Sequence, residues 1–221
     1  MDLIDAARSG DIQRVRELLD RGADPNIRND GIGSTALMDA SYRGNIEIVR
    51  LLLDRGADIN IIDDIGHTAL IDASSLGHTE IVRLLLDYGA NPNIQVNYNY
   101  STALIFASRV GHTEIIELLL DNGADPNIRD RDGETALMIA ERRGHNDVAR
   151  LIRDHIGLQK ARQRLAFATR LLGNDDDLDY DVTARIAEYL HDLDQYGSGR
   201  RSSSSSRRRK RKYYTRRRFF Q

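Results

Sequence analysis

TALMDASYRGNIEIVRLLLDRGADIN, residues 35–60, is followed by two close variants of itself, TALIDASSLGHTEIVRLLLDYGANPN (68–93) and TALIFASRVGHTEIIELLLDNGADPN (102–127). A fourth variant, TALMIAERRGHNDVARLIRDHIG (135–157), decays in its second half. Thr35, Thr68, Thr102 and Thr135 are spaced 33, 34 and 33 residues apart, and Gly22, Gly56, Gly89 and Gly123 are spaced 34, 33 and 34 apart. A fixed period of this length is the signature of a solenoid, in which each unit buries its apolar face against the next.

Each unit parses into two helices. Threonine is an N-cap residue, whose oxygen accepts from the open backbone of a short first helix, Ala36 to Arg43 in the first full copy. Gly44, Gly77, Gly111 and Gly144 stand where a left-handed residue must stop that helix. A second helix is expected from Asn45 to Arg55, with Ile46, Val49, Leu52 and Leu53 on one stripe and Ile48 and Leu51 on other faces. A helix apolar on several sides needs neighbours on several sides. Gly56 ends it, and Ala-Asp-x-Asn opens a turn into a polar loop.

The pattern T-A-L-x-x-A … G-H-x-E-I-V-x-L-L-L-D-x-G-A-D-x-N resembles the ankyrin repeat over residues 1–157. The family's Pro and His in T-P-L-H are here Ala and Met or Ile in all four copies. The resemblance implies an all-α solenoid of stacked helix-turn-helix units joined by hairpin loops. It divides the chain into an N-terminal cap unit (1–26) with four repeats (to 157), a segment 158–196, and a tail 197–221.

Composition excludes several chemistries. The chain has no cysteine, so disulfides, thiolate metal sites and thiol nucleophiles are absent. The N-terminal MDLIDAARSGD has no basic-then-apolar leader, and apolar runs reach only about five residues, against the roughly 20 of a membrane span. An intracellular protein of the cytoplasm or nucleus is expected, monomeric and away from membranes. His78, His112 and His145 recur at the Gly-His position and are expected to cap helices rather than bind metal; His67, His155 and His191 are isolated. No nucleophile is paired with a base, so no catalytic, cofactor or metal residues are assigned and the chain is expected not to be an enzyme.

Ankyrin arrays bind through their loop tips and the exposed positions of their first helices. Carried over, that face holds Arg28, Ser34, Tyr42 and Arg43, then Ile62, Asp64, Ile65, His67, Ser75 and Leu76. The third repeat adds Gln95, Tyr98, Tyr100, Arg109 and Val110, and the fourth Arg129, Arg131, Glu134, Arg142 and Arg143. Seven arginines stand against two acids, and Tyr and Arg are the residue types of binding hot spots. The expected ligand is a protein, acidic or phosphorylated.

Beyond the array, Leu158, Ala161, Leu165, Ala168 and Leu172 form a helical stripe, expected as a separate capping helix. In LDYDVTARIAEYLHDL (178–193), Leu178, Val182, Ile186 and Leu190 recur every four residues. That order resembles the opening of an F-box, which docks on the Skp-type adaptor of cullin ubiquitin ligases. Ankyrin proteins of poxviruses and other large DNA viruses carry such truncated segments, which implies a host-protein adaptor. A plain packing helix fits the same stripe, and Asp179 stands where the F-box has Pro.

The last 22 residues hold 11 of the 32 basic residues and none of the 34 acidic ones, which leaves residues 1–199 with 21 basic residues, a net of −13. A tail of this composition cannot form a core and is expected to be disordered. Arg207, Arg208, Arg209, Lys210, Arg211 and Lys212 resemble a nuclear-import signal and also suit nucleic-acid phosphates. An alternative function is therefore a nuclear or nucleic-acid-associated factor working through the tail.

Overall fold

The computed structural model describes residues 2–171. The adaptor-docking candidates Leu178, Val182, Ile186 and Leu190, the basic cluster 207–212 and the whole segment 197–221 lie outside the described residues.

Ten helices are present among the described residues, and no strand. First helices are α1 (Leu3–Ser9), α3 (Ala36–Arg43), α5 (Ala69–Leu76), α7 (Ala103–Val110) and α9 (Ala136–Arg143). Second helices are α2 (Ile12–Asp20), α4 (Ile46–Asp54), α6 (Thr79–Asp87), α8 (Thr113–Asp121) and α10 (Asn146–Leu171). Through α8, each first helix packs on its own second helix, and the first helices α1, α3, α5, α7 and α9 stack in order. The first helices meet through small residues: Ala36, Ala40 and Ser41, then Ala69, Ala73 and Ser74, then Ala103, Ala107 and Ser108 are all buried. The second helices meet through Ile48, Val49 and Leu52 and their counterparts Ile81, Val82, Leu85, Ile115, Ile116 and Leu119, also buried. Each such fully buried Leu or Ile contributes about 1.5–3 kcal/mol. Small residues between the first helices let them approach closely.

The caps follow the sequence closely. The hydroxyls of Thr35, Thr68, Thr102 and Thr135 accept from the amides of Met38, Ile71, Ile105 and Met138 at 3.2–3.4 Å. Each cap contributes about 1 kcal/mol. The first unit lacks the threonine, and Asp2 replaces it, accepting from the Asp5 amide at 2.8 Å. Gly44, Gly77, Gly111 and Gly144 end the first helices in the left-handed conformation.

Two details depart from the sequence reading. His78 and His112 occupy N-cap positions but form no side-chain cap. Their rings lie instead where a side chain on the glycine one repeat earlier would sit: a Cβ on Gly44 would meet the His78 ring at 2.9 Å, and one on Gly77 the His112 ring at 2.9 Å. His78 Nε2 is 3.1 Å from the Tyr42 carbonyl and His145 Nε2 is 3.3 Å from that of Arg109, so these histidines join neighbouring repeats. The stripe from Leu158 does not begin a separate helix: the second helix of the fourth repeat, α10, runs unbroken through Gly157 as one 26-residue helix.

Candidate functional site: the hairpin tips and first-helix ends

Four hairpins, residues 28–34, 62–67, 95–101 and 129–134, precede the capping threonines. Each closes with one backbone bond near 3.0 Å: Asn29 to Ser34, Asp63 to His67, Val96 to Ser101, and Asp130 to Glu134. Consecutive hairpins are joined as well. The amides of Asp64, Asn97 and Arg131 donate to the carbonyls of Ile32, Ile65 and Asn99 at 2.9, 2.9 and 2.8 Å. The tips therefore form one continuous strip.

Apolar side chains concentrate on this strip. Among the described residues, eleven large hydrophobic side chains are exposed. Ten of them lie on or beside the hairpins or on first helices: Ile27, Ile32, Ile62, Ile65, Tyr98 and Tyr100, with Tyr42, Leu76, Val110 and Met138. Tyr88, at the end of α6, is the exception, and its hydroxyl donates to Asp54 at 2.6 Å, which raises the phenol's pKa. Ile27, Ile32 and Met138 join the face although the sequence reading does not assign them to it. The first hairpin matches the third in length, a signal present in the Gly-to-Thr spacing.

The seven arginines do not act as seven free charges. Arg28 pairs with Asp64 of the next hairpin at 2.7 Å. Arg142 grips Glu134 with two bonds of 2.9 and 2.7 Å, and Arg109 lies 3.9 Å from buried Asp130. Arg43 sits over the Tyr42 ring at 5.7 Å, and Arg109 over Phe106 at 5.4 Å. Carboxylates beyond the two counted from sequence also belong here, including Asp39, which Arg8 engages at 2.8 Å, and Asp72. Arg129, Arg131 and Arg143 of the fourth repeat are exposed and, like Arg43, pair directly with no carboxylate among the described residues, while exposed Asp132 shares the hairpin of Arg129 and Arg131. Hydrogen bonding to Arg142, then the charges of Arg142, Arg109 and Arg143, hold the Glu134 carboxyl below its ordinary range.

At the centre, His67 and Asp72 form a half-buried pair, with Nδ1 and Oδ1 2.8 Å apart. The His67 ring stacks on Tyr98 (centroids 6.2 Å) and meets Phe106 edge-on at 5.9 Å. Its Nε2 is buried without a partner. The hydrogen bond to Asp72 raises the imidazole's pKa, and burial pushes the Asp72 carboxyl up.

The third hairpin breaks the pattern of the others. In repeats 1, 2 and 4 a side chain at its second position ties the turn. Asn29 accepts from Gly31, Ile32 and Ser34, Asp63 from Ile65 and His67, and Asp130 from Asp132 and Glu134. Val96 replaces that residue and is fully buried. Gly33, Gly66 and Gly133 have φ of 70°, 87° and 76° in the penultimate position of their hairpins, whereas the third hairpin has Tyr100 there at φ 55°. Tyr100 is the one non-glycine with positive φ among the described residues. Gln95 holds it, donating to the Tyr100 carbonyl at 2.6 Å.

No group of three metal-ligating side chains gathers among the described residues, and no described helix is long and apolar enough to cross a membrane. Stacked helix pairs with joined hairpins define a tandem-repeat solenoid built to present a surface rather than a cavity. A family model described as ankyrin repeats (3 copies) matches residues 3–96 and 94–164, and the chain belongs to the ankyrin-repeat family. No curated protein matches the chain. Ankyrin repeats are protein–protein interaction modules, and the partner of this chain is accordingly a protein.

Proposed function

We propose that the chain is a non-enzymatic adaptor that holds a protein partner along its hairpin tips and first-helix ends. The observation that carries this reading is the segregation of ten of the eleven exposed large apolar side chains onto that one surface. Scattered exposed hydrophobics are ordinary, but a contiguous set marks an interaction site. Tyr42, Ile62, Ile65, Leu76, Tyr98 and Tyr100 supply apolar contact. Arg43, Gln95 and the arginines of repeats 3 and 4 supply the polar rim.

In the fuller form of this reading, Leu178, Val182, Ile186 and Leu190 recruit the Skp-type adaptor of a cullin ligase. The array's partner is then its target, a host protein if the chain is viral. The support is the four-residue stripe and its order in the sequence. A second reading, favoured by the 11 uncompensated charges of residues 200–221, places the chain in the nucleus with the tail on nucleic acid.

Affinity purification with mass spectrometry tests these together in eukaryotic cells. Three forms are compared: wild type, Val182→Asp with Ile186→Asp, and Leu76→Ser with Tyr98→Ser. The reading expects adaptor and cullin peptides to vanish with the first pair and a distinct set of proteins to vanish with the second. Recovery of every protein by the Leu76/Tyr98 variant would defeat the reading of the hairpin tips and first-helix ends as the binding face. Retention of ligase subunits by the Val182/Ile186 variant would defeat the adaptor role alone. RNA or DNA binding that survives removal of residues 200–221 would defeat the nuclear alternative.

A further inference from the structure

The binding surface is uneven, and its two exceptional parts adjoin. The third hairpin abandons both devices that its siblings use, the turn-tying Asn or Asp and the glycine, and in their place carries Val96 and Tyr100. Local rules broken together at one exposed place are characteristic of functional sites. Tyr98 and Tyr100 are about half exposed, at 49% and 52%. Immediately beyond lie the arginines without carboxylate partners. The Arg131 amide donates to the Asn99 carbonyl at 2.8 Å, and its guanidinium lies 3.4 Å from the Tyr98 carbonyl. Arg129 reaches the Gly133 carbonyl and the Met138 sulfur, while Gln95 bridges from the Tyr100 carbonyl to that of Arg129. In the N-terminal half three pairs close on each other, Arg8–Asp39, Arg28–Asp64 and His67–Asp72, and Arg43 lies over the Tyr42 ring.

We propose that the partner docks through an acidic linear peptide, one aromatic or branched aliphatic side chain against Tyr98 and Tyr100 and its Asp or Glu carboxylates on Arg129, Arg131 and Arg143. This deepens the interaction reading above and rests on it. Tyrosine rings give large, stiff contact area at small entropic cost. Guanidinium forks match carboxylates. Neighbouring repeats are roughly 10 Å apart. An extended chain covers that in about three residues, which sets the spacing between anchor and acid.

The test selects random 12-residue peptides by display against the full chain and reads the enriched sequences. Selected peptides are then titrated by fluorescence anisotropy against wild type, Arg129→Ser with Arg131→Ser, and Tyr98→Ala, each checked for an unchanged melting temperature. The proposal expects enrichment of an aromatic or branched residue with Asp or Glu about three positions away. It expects about a ten- to hundredfold weaker Kd in both variants, and weakening by salt that is steep in wild type and much reduced in the arginine variant. Enriched peptides that lack acids, or that bind the arginine variant at full strength, overturn the acidic-peptide proposal while leaving the hairpin-tip binding face standing. Failure of every variant on the hairpin-tip face to weaken any selected peptide overturns both. A single-stranded RNA 20-mer serves as counter-probe; its loss in the Arg129/Arg131 variant would reassign these arginines to nucleic acid and overturn the proposal.

Discussion

Tyr100 offers a direct way to separate the backbone of the third hairpin from the ring that it displays. Its φ of 55° lies in the left-handed region, where a residue with a Cβ is disfavoured by about 1–2 kcal/mol. Replacing Tyr100 by Ala or by Gly removes the ring equally, so the two variants differ only in backbone terms. Glycine relieves the strain but loses about 0.5–1 kcal/mol more chain entropy on folding. The net expectation is that Tyr100→Gly is more stable than Tyr100→Ala by about 0.5–1 kcal/mol. In a domain of this size that is roughly 1–4 °C in melting temperature by calorimetry or circular dichroism. Gly66, in the equivalent turn of the preceding repeat, provides the opposite case. An added Cβ there would lie 2.6 Å from the Asn97 amide nitrogen at φ 87°, so Gly66→Ala should cost about 1–3 kcal/mol. Both Tyr100 variants should bind the partner equally weakly, because both lack the ring. Equal or greater stability of the alanine variant would refute the reasoning, since it would mean that the backbone at Tyr100 is not left-handed in solution.

Buried groups lead to further expected outcomes. The hydroxyls of Ser41, Ser74 and Ser108 are buried without hydrogen-bond partners between successive first helices. Alanine at each should add about 1 kcal/mol, summing over the three, in guanidinium midpoints measured at constant slope. His67 and Asp72 both have pKa values above their ordinary 6.5 and 3.8, so at these two groups the folded chain holds more protons than the unfolded one. The His67 contribution is fully present below pH 6.5 and fades as pH rises through its raised folded value. Asp72 acts with the same sign at lower pH, with Asp63 and Asp39 adding to its upward shift or that of His67. Asp72→Asn should flatten the upper limb of a melting-temperature profile from about pH 5 to 8; an unchanged slope would deny the pair its role. Gly157→Ala should stabilise by about 1 kcal/mol and increase helicity, because Gly157 lies inside α10 with open space around it. A loss of stability there would mean that the helix breaks at Gly157.

The fold is legible in the sequence because the capping threonine and the helix-stopping glycine recur at fixed spacing, and each has a single structural use. What the period does not carry is the identity of contacts across repeats. Arg28 meets Asp64 36 residues away, and His78 meets the Tyr42 carbonyl at the same separation. A count of charges along the face therefore credits arginines that the neighbouring repeat already satisfies. A separate helix from Leu158 is expected from the sequence because the repeat pattern ends at Gly157, as earlier units end at glycine. The difference lies in the residues after each glycine: Leu-Gln-Lys-Ala continues a helix, whereas Ala-Asp after Gly56 does not. Tyr98 and Tyr100 stand out by residue type and loop length. The broken turn chemistry beneath them does not, since a valine in a polar loop is noticed only beside its three siblings.

The principal packing of the first helices, on their own partners through α8 and on their immediate neighbours, also has a mechanical meaning. The principal contacts within residues 3–143 run between adjacent repeats, so tension applied along the array meets a series of similar links rather than one clamp. Each link that yields frees about 33 residues, on the order of 100 Å of extended chain. A partner lying across several hairpin tips bridges those links side by side. Bound cargo would then stiffen a molecule that, empty, lengthens stepwise under load.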